Sequence, residues 1–413
     1  MKYGCIGEHL GHSFSKEIHA LFADYDYDLV ELAPESLGAF LEKRDFCALN
    51  VTIPYKKDVI PYLDVTDSDA LEIGAVNTIV NRGGKLFGYN TDVYGMTELI
   101  KATGLDLVGR KVAILGTGGT SRTAESVAKR LGAKEICRVS RTGKDGAITY
   151  DELYSVFSDA DFLINTTPCG MFPRGGEIPA ELDRLPSLRG VIDAVYNPLR
   201  TLLVLEAKKR GIPASGGLKM LVAQAIRASE HFLCTKYPPE LTDKVYKKIL
   251  AGKENIVLTG MPGSGKSTAG KLLAEMLSRP FFDTDELIVK KTGKTIPEIF
   301  DVFGEEGFRK IESDVIEKEV MPLSSAVIAT GGGAVLREEN ITALRQNGRI
   351  YFLDRPLSEL VPTGDRPLAR CPEALEKRYF ERHDIYLRTS DCRIDTSGGE
   401  EKTAERIRKE ANL

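Results

Sequence analysis

Short apolar runs alternate with polar stretches of helical spacing along the first part of the chain. The predicted elements are the strands Lys2–Gly7, Leu49–Ile53 and Val76–Asn81, the helices Ser15–Tyr25 and Val93–Thr103, and a loop at Gly88–Asp92. Strands that are separated by helices build βαβ units, in which neighbouring strands run parallel. We therefore expect an α/β fold with a mostly parallel sheet in this region.

The same alternation begins again at Lys111 and once more near Ile256. The second set of predicted elements comprises the strands Lys111–Leu115, Glu135–Ser140, Asp161–Asn165 and Val191–Ala194, and the helices Ser121–Leu131, Leu218–Phe232 and Leu241–Leu250. The polar stretch Ala251–Asn255 shows no packing pattern, so we predict a domain junction there, ahead of the strand Ile256–Thr259. The predicted domains are residues 1–250, with parts 1–100, 101–217 and 218–250, and residues 254–413.

Composition narrows the class of protein. Of the 413 residues, 42% are hydrophobic and 28% are charged, which is typical of a globular protein. The net charge of −4 carries no basic surplus, so we predict no nucleic-acid partner. The first residues lack the pattern of a secretory signal, and no apolar run approaches the ~20 residues of a membrane span. We predict a cytoplasmic protein without a membrane partner, and the sequence leaves its oligomeric state open.

A P-loop stands between the predicted strand Ile256–Thr259 and a helical stretch. The segment Gly260-Met-Pro-Gly-Ser-Gly-Lys-Ser267 matches the G-x-x-x-x-G-K-[ST] pattern in full. Its glycines let backbone N–H groups turn towards phosphates, Lys266 can reach the β- and γ-phosphates, and the Ser267 hydroxyl can ligate Mg²⁺. The pattern predicts an ATP or GTP site formed by Gly263, Ser264, Gly265, Lys266, Ser267 and Thr268.

Two aspartates follow the short apolar run Pro280–Phe282. On a strand, residues i and i+2 point to the same side, so Asp283 and Asp285 are expected to face the phosphates together. One carboxylate can then help to hold Mg²⁺ while the other faces an acceptor hydroxyl. Taken alone, an acidic pair at the end of a strand is more often a cap or a turn, and the adjacent P-loop favours the functional interpretation.

Arginines and glycines further along are candidates for the acceptor side of this site. Arg309 either points into the site, braced by Glu312 one helical turn on, or forms an ordinary surface ion pair. The triplet Gly331-Gly332-Gly333 lets a ligand approach the backbone closely. Arg366 and Arg382 are further candidate cations.

This combination resembles shikimate kinase, a member of the nucleoside-monophosphate-kinase-like P-loop fold, across about residues 254–413. The resemblance implies that Asp285 binds the shikimate hydroxyls and acts as a base, and that Arg309 and Arg382 hold the carboxylate. It implies that the glycine triplet lines the ring, and that Arg366 moves in from a lid to neutralise the transferring phosphoryl group. One departure from the family pattern is a shortened lid segment, with Pro362 near the place of a usual lid arginine.

A glycine-rich turn also follows the predicted strand Lys111–Leu115. It reads Gly116-Thr-Gly-Gly-Thr-Ser121, with serine in place of the usual third glycine of a dinucleotide-binding motif, and a plain βα turn is the alternative. After the next strand, Ser140-Arg141-Thr142 stands where an NAD enzyme carries Asp or Glu, which favours a 2′-phosphate and hence NADP(H) over a solvated surface arginine. The predicted contacts are Gly116, Gly118, Gly119, Thr120, Ser140, Arg141 and Thr142.

Candidate residues for proton transfer lie earlier in the chain. Lys56 ends the segment Asn50–Lys56, and Asp92 closes Gly88–Asp92. A lone lysine after a strand is usually solvated, but a lysine and an aspartate that meet in a cleft can relay a proton at neutral pH.

These residues resemble shikimate dehydrogenase over about residues 1–250, an α/β substrate domain followed by a Rossmann NADP domain and closing helices. The resemblance implies that Lys56 and Asp92 form the catalytic pair and that Met220 lies near the nicotinamide. It implies a set of substrate-binding residues, namely Ser13, Ser15, Thr52, Asn77, Tyr196 and Gln224.

Together the two resemblances imply one chain with two consecutive activities. The first is the NADPH-dependent reduction of 3-dehydroshikimate to shikimate, and the second is the ATP- and Mg²⁺-dependent phosphorylation of shikimate, both steps of chorismate biosynthesis. One alternative is a quinate/shikimate dehydrogenase that uses NAD, joined to another small-molecule kinase. A second is that one half is a degenerate binding module.

Overall fold

The computed structural model describes residues 2–11, 13–360 and 372–413. It divides into two compact units, Met1–Ile249 and Leu250–Leu413, which we treat separately. Within the described ranges, every helix is too short or too polar to cross a bilayer. Arg366 and Pro362, singled out from the sequence, lie outside the described residues.

The first unit begins with a six-stranded sheet in the order β2-β1-β3-β5-β6-β4. Its strands are β1 (Tyr3–Gly7), β2 (Tyr27–Glu31), β3 (Ala48–Val51), β4 (Val65–Thr66), β5 (Thr78–Arg82) and β6 (Lys85–Tyr89). The helices of this region are α1 (Ser15–Ala20), α2 (Leu37–Lys43), α3 (Ser68–Ile73) and α4 (Asp92–Ala102). Apolar side chains from β1, β3, β5 and α2 form the core on one face of the sheet.

A hairpin in this sheet departs from the predicted pattern. Gly88 and Tyr89, predicted as loop, end strand β6, and β6 pairs antiparallel with β5. The turn between the strands is Gly83-Gly84, with φ of 60° and 84°, a conformation that glycine adopts readily. The sheet is therefore mixed, since β5 also pairs antiparallel with β3.

The first helix is shorter than predicted. It ends at Ala20 rather than Tyr25, and the chain turns so that the Tyr25 hydroxyl lies 2.7 Å from Nδ1 of the buried His19. A long-range contact therefore overrides the local helical pattern.

A second, fully parallel sheet follows, in the order β11-β10-β9-β7-β8. Its strands are β7 (Lys111–Leu115), β8 (Glu135–Val139), β9 (Phe162–Asn165), β10 (Gly190–Asp193) and β11 (Ala214–Ser215). The helices are α5 (Gly119–Arg130), α6 (Tyr150–Ser155), α7 (Leu202–Lys209), α8 (Leu218–Leu233) and α9 (Leu241–Lys253). Apolar cores cover both faces, and the strand order reverses beside β7, where open α/β sheets bind ligands.

The stretch Ala251–Asn255, where we predicted the domain junction, is largely part of a helix and a strand. Helix α9 continues to Lys253, and the next strand begins at Asn255. Arg279 donates hydrogen bonds to the carbonyl groups of Ala251 and Glu254 at 2.7 and 3.0 Å. A side chain distant in sequence therefore orders the stretch that looked unstructured.

The second unit is built on a five-stranded parallel sheet in the order β13-β14-β12-β15-β16. Its strands are β12 (Asn255–Thr259), β13 (Phe281–Asp283), β14 (Val327–Ala329), β15 (Gly348–Asp354) and β16 (Cys392–Asp395). The helices are α10 (Lys266–Leu277), α11 (Thr284–Thr292), α12 (Ile296–Val315, kinked at Gly304), α13 (Glu338–Asn347), α14 (Pro372–Thr389) and α15 (Glu400–Glu410). The carboxyl ends of β12, β13 and β14 therefore meet at one edge, where the glycine loops lie.

Candidate active sites

Lys56 and Asp92 meet in the first unit. Lys56 follows β3, and Asp92 is the first residue of α4. The Lys56 ammonium group donates a hydrogen bond to Asp92 Oδ2 at 2.6 Å, and the Lys56 carbonyl accepts one from the Val76 N–H at 2.7 Å. The Lys56 side chain is therefore held against the start of α4, and its backbone against the segment that leads into β5.

Asn77 connects this pair to the sheet. Its Nδ2 donates to Asp92 Oδ1 at 2.8 Å and to Thr91 Oγ1 at 3.0 Å, and its Oδ1 accepts from the Thr91 N–H at 2.8 Å. Asn77 is 2% exposed, so these bonds form away from bulk water. The Asp92 carboxylate is thus oriented from both oxygens, by Lys56 on one and by Asn77 on the other.

Gln224 is brought to the same place by helix packing. A Cβ at Gly95 of α4 would lie 2.7 Å from the Met220 carbonyl of α8, so only glycine allows the two helices to approach this closely. Met220 is buried in this contact, and Thr91 Oγ1 lies 3.5 Å from Gln224 Oε1. Lys56, Asn77, Asp92 and Gln224 therefore form one connected group through Thr91.

The other predicted substrate residues lie on the same unit with fewer direct links. Ser13 Oγ accepts the N–H of Ser15 at 3.3 Å, and the intervening Phe14 ring packs edge-on against Tyr196 with centroids 5.4 Å apart. Thr52 donates its N–H to the Ile6 carbonyl at 3.0 Å. No described hydrogen bond joins Ser13, Ser15 or Thr52 to the Lys56–Asp92 pair, so their substrate roles stay predictions.

The glycine-rich turn after β7 fits a dinucleotide. Gly116 has φ of 110°, and a Cβ there would lie 2.9 Å from Thr166 Oγ1. A Cβ at Gly118 or Gly119 would meet nothing within 4 Å, so the start of α5 is open to a phosphate. The buried Ser121 Oγ has no hydrogen-bond partner among the described residues.

The turn after β8 supplies the cation that the sequence suggested. Ser140 Oγ accepts the N–H of Gly143 at 3.1 Å, which closes the turn, and the Arg141 side chain is exposed. Within the described chain Arg141 forms no hydrogen bond or ion pair. The donor set therefore suits a 2′-phosphate better than a ribose hydroxyl.

A buried carboxylate near Tyr196 was not assigned a role from the sequence. Asp193, which is fully buried at the end of β10, accepts hydrogen bonds from Asn165 Nδ2 at 2.9 Å, the Val195 N–H at 2.9 Å and Thr201 Oγ1 at 2.6 Å. Burial raises its pKa to about 6, although the three hydrogen bonds oppose the shift. Polar residues that end the two apolar strands β9 and β10 were the signal that could have indicated this network.

In the second unit the P-loop connects β12 to α10. Gly263 and Gly265 have φ of 81° and 88°, which glycine alone adopts without strain. The buried Lys266 ammonium donates to the carbonyls of Gly260 and Met261, at 2.9 Å each. The loop thus holds its lysine over a cradle of backbone groups that is suited to phosphates.

The two aspartates lie on different elements, so the expectation that they share one side of a strand is wrong. Asp283 is the last residue of β13, and Asp285 lies in the first turn of α11. Asp283 Oδ2 accepts from Ser267 Oγ at 2.7 Å, while a Cβ at Gly331 would lie 2.7 Å from Asp285 Oδ1. Asp283 with Ser267 presents hard oxygen ligands suited to Mg²⁺, and Asp285 faces the glycine triplet instead.

Three charged residues converge on that triplet. Arg309 Nη1 donates to Glu312 Oε2 at 2.7 Å, and a Cβ at Gly333 would lie 2.1 Å from the Arg309 guanidinium. Arg382 Nη1 donates to the Gly332 carbonyl at 3.1 Å. Arg309, Glu312 and Arg382 are 6%, 0% and 3% exposed, so the surface ion-pair interpretation of Arg309 is wrong.

The convergence leaves polar atoms without partners. Arg309 Nε, Arg382 Nε and Nη2, and Glu312 Oε1 are buried and form no hydrogen bond with the described residues. Burial lowers the pKa of Arg382. Burial also raises the pKa of Glu312, although the attraction of Arg309 opposes that second shift. Buried polar groups are rarely left unpaired, so the donors are suited to a bound carboxylate.

Arg355 is a residue that motif reasoning missed. It follows β15 and donates from Nη1 to the Gly263 carbonyl of the P-loop at 3.3 Å. No sequence pattern marks it, because the contact depends on β15 lying beside β12 in the sheet.

These folds and sites define an oxidoreductase unit of the Rossmann type joined to a P-loop phosphotransferase unit. Comparison with known proteins identifies each. The family model for the shikimate dehydrogenase substrate binding domain matches residues 5–79, and the model for shikimate kinase matches residues 262–412. The NADP(+) shikimate dehydrogenase of Clostridium beijerinckii is 38% identical over 259 residues, which are 59% of this chain and 96% of that protein.

Solved structures of shikimate dehydrogenases are similar to the first unit as well. Shikimate dehydrogenase 1 of Peptoclostridium difficile is 33% identical with a TM-score of 0.56, covering 60% of this chain and 98% of that one. The Thermus thermophilus shikimate 5-dehydrogenase in complex with NADP(H) and shikimate is 28% identical, with a TM-score of 0.54 and coverage of 60% and 99%. The chain therefore belongs to the shikimate dehydrogenase family and carries a shikimate kinase domain after it, which confirms both resemblances noted in the sequence.

Proposed function

We propose that the first unit reduces 3-dehydroshikimate to shikimate with NADPH, and that the second transfers the γ-phosphoryl group of ATP to shikimate to form shikimate 3-phosphate. The observation that carries the first step is the 2.6 Å contact between Lys56 and Asp92, with Asn77 on the other carboxylate oxygen. A proton donor held this way has one geometry relative to a carbonyl placed beside it.

In the reductive direction, the carbonyl carbon at ring position 3 receives a hydride and the carbonyl oxygen receives a proton. A nicotinamide cofactor would supply the hydride when bound. Lys56 Nζ gives its proton to the oxygen as the C=O π bond breaks, and Asp92 keeps the lysine directed at that atom. Gly116 to Gly119 and Arg141 are suited to hold the cofactor in the second sheet.

For the kinase step, the supporting observation is the set of buried guanidinium atoms around the glycine triplet. Arg309 and Arg382 present unpaired donors to the acceptor carboxylate, and Asp285 faces the same space to receive the proton of the attacking hydroxyl. Lys266 with the P-loop backbone holds the phosphates, and Ser267 with Asp283 would hold Mg²⁺, which neutralises phosphate charge when bound. The product of the first unit is the acceptor for the second.

A time course with the purified full chain tests both steps. In the presence of NADPH, ATP and Mg²⁺, dehydroshikimate should be converted first to shikimate and then to shikimate 3-phosphate, with NADP⁺ and ADP as the co-products. Mass spectrometry follows both conversions. Lys266→Met should stop the sequence at shikimate, whereas Lys56→Met should form phosphate ester only when shikimate is supplied. A wild-type chain that lacks either conversion would contradict the proposal.

Cofactor and acceptor choice separate this function from its alternatives. NADPH should be preferred over NADH, and Arg141→Ala should reduce that preference about tenfold by removing one charge-assisted contact. Comparing shikimate with quinate for the first unit, and with gluconate for the second, tests the substrate class. Preference for NADH or for gluconate would favour the alternative assignment.

A further inference from the structure

A buried chain of hydrogen bonds leads from the far side of the first sheet to Asp92. Tyr27 on β2 donates its hydroxyl to Asn50 Oδ1 on β3 at 2.6 Å, and Asn50 Nδ2 donates to Thr78 Oγ1 on β5 at 3.3 Å. Thr78 Oγ1 donates to Asn77 Oδ1 at 3.0 Å, and Asn77 then donates to Asp92. The path crosses the sheet because Asn50 and Thr78 are register partners.

The direction of this chain is determined at both ends. The ionised Asp92 carboxylate only accepts hydrogen bonds, and the Thr91 N–H only donates, so Asn77 must present Nδ2 to the first and Oδ1 to the second. Thr78 Oγ1 donates to Asn77 Oδ1 and lies 3.3 Å from Thr91 Oγ1 as well. Asn50 Nδ2 faces Thr78 Oγ1 and also donates to the Asn77 carbonyl at 3.3 Å, which only accepts and so fixes the Asn50 amide. This leaves Asn50 Oδ1 for the Tyr27 hydroxyl, which acts as the donor.

Burial keeps bulk water from competing for these hydrogen bonds. Tyr27, Asn50, Asn77 and Thr78 are 3%, 7%, 2% and 0% exposed. Burial also raises the pKa of Tyr27 well above its usual value, so the phenol remains protonated and continues to donate. Thr78 is inaccessible to a substrate, and any effect of its hydroxyl on the reaction must pass through its buried partners, Asn77 and Thr91 among them.

We propose that Tyr27 and Thr78 are positioning residues of the dehydrogenase, which complete the hydrogen bonds of the Asn50 and Asn77 amides and so hold in place the network that directs Asp92 and Lys56 at the substrate carbonyl. The inference rests on the proposed reduction by the first unit. If the Tyr27 hydroxyl is removed, Asn50 Oδ1 loses that donor, and the amide is held through Nδ2 by Thr78 Oγ1 and the Asn77 carbonyl. Asn50 and Thr78 can then shift together, and Asn77 and Asp92 have more than one arrangement.

Paired substitutions separate this role from a merely structural one. Thr78→Val keeps the shape but removes the hydroxyl, Thr78→Ser keeps the hydroxyl, and Tyr27→Phe removes only the donor. We expect Thr78→Val and Tyr27→Phe to lower kcat for dehydroshikimate about tenfold with KM changed less than about twofold, because misaligned reacting groups slow the chemical step more than binding. Thr78→Ser should retain kcat within about twofold.

The second unit supplies an internal control. Phosphorylation of shikimate by the same chains should be unchanged, and NADPH binding followed by fluorescence checks that the first unit is folded. If Thr78→Val fails to bind NADPH, it is set aside as misfolded. The proposal is then tested by the kcat of Tyr27→Phe, provided that this variant binds NADPH. Equal kcat values for the folded Val, Phe and Ser variants would overturn the positioning role, and so would a loss in all three. A wild-type chain that does not reduce dehydroshikimate would instead refute the proposed function itself.

Discussion

The two candidate sites differ in whether their buried charged groups have hydrogen-bond partners. Lys56 and Asp92 are paired with each other, and Asn77 occupies the second Asp92 oxygen. In the kinase unit, Arg309 and Arg382 are more deeply buried, yet several of their donor atoms have no partner among the described residues. The dehydrogenase pair has its partners among the described residues, whereas the kinase pocket retains buried donors that, in the proposed function, the acceptor carboxylate would pair.

The difference follows from what each reaction requires. Proton transfer needs a donor with one fixed geometry, and a network of short hydrogen bonds provides it. Phosphoryl transfer needs an acceptor that is captured and aligned, and guanidinium groups left unpaired gain most when a carboxylate enters. The unpaired groups lower the stability of the free kinase unit, because a buried donor without a partner costs about 1–3 kcal/mol.

The largest expected effect comes from Lys56→Met. Loss of the proton donor should lower kcat for dehydroshikimate about a thousandfold, within the range found for general acids. Steady-state assays of both reactions on one preparation measure it, with the kinase rate as the control. A decrease of less than about tenfold would show that Lys56 is not the proton donor.

Gly333→Ala tests whether the kinase pocket depends on close approach to Arg309. The new Cβ would lie 2.1 Å from the guanidinium, so Arg309 must move. We expect kcat/KM for shikimate to fall about a hundredfold while KM for ATP changes little. Gly252→Ala is the matched control, because a Cβ there meets nothing within 4 Å and lies in helix α9. Similar activities of the two variants would contradict the assigned role of Arg309.

Stability should change with opposite signs when a cation is removed from each site. Lys56→Met leaves Asp92 without its ionic partner and should destabilise the first unit by about 2 kcal/mol. Arg382→Met removes a buried cation with unpaired donors and should stabilise the free second unit by about 1 kcal/mol. Denaturant unfolding, followed with a probe in each unit, measures both changes. Destabilisation in both cases would break the comparison between a paired site and one that retains unpaired donors.

Acid stability provides a further effect, which is spread over several pH units. Burial lowers the pKa of His19 to about 3, from a usual 6.5, so the unfolded chain binds a proton between these values that the folded chain does not. Stability therefore decreases as pH falls from about 6.5 towards 3, by up to about 1.4 kcal/mol per pH unit. Asp193 has the opposite effect on stability between about pH 6 and pH 3.8. Its pKa is raised in the folded chain, so the folded chain binds a proton there that the unfolded chain does not.

The difference between wild type and His19→Gln isolates the histidine from Asp193. The variant should unfold with a weaker dependence on pH below 6.5, measured by denaturant titration at several pH values. Parallel curves for the two proteins would mean that His19 is not held neutral in the folded unit.

Much of the architecture was predictable where local signals were strong. The P-loop and the turn after β7 each combine a glycine pattern with a preceding strand and a following helix. The two preceding strands, β12 and β7, lie where the pattern indicated. The hairpin of β5 and β6 was missed, although Gly83-Gly84 between alternating apolar residues indicates a two-residue turn. The separation of Asp283 from Asp285 was missed, because the sequence pattern did not indicate that helix α11 begins directly after the strand, at Thr284.

The sequence by itself determined the chemistry that is available, because a residue's charge, its hydrogen-bonding groups and the freedom of a glycine belong to the residue and its neighbours. It therefore indicated a phosphate cradle, a 2′-phosphate cation and a lysine–aspartate pair. Only the tertiary structure decided which groups are paired and which are not. Pairing depends on contacts between distant segments, as when Tyr27 reaches Asn50 across the sheet or Arg382 meets Gly332. Burial from all sides, which no local pattern contains, then makes those pairings energetically important.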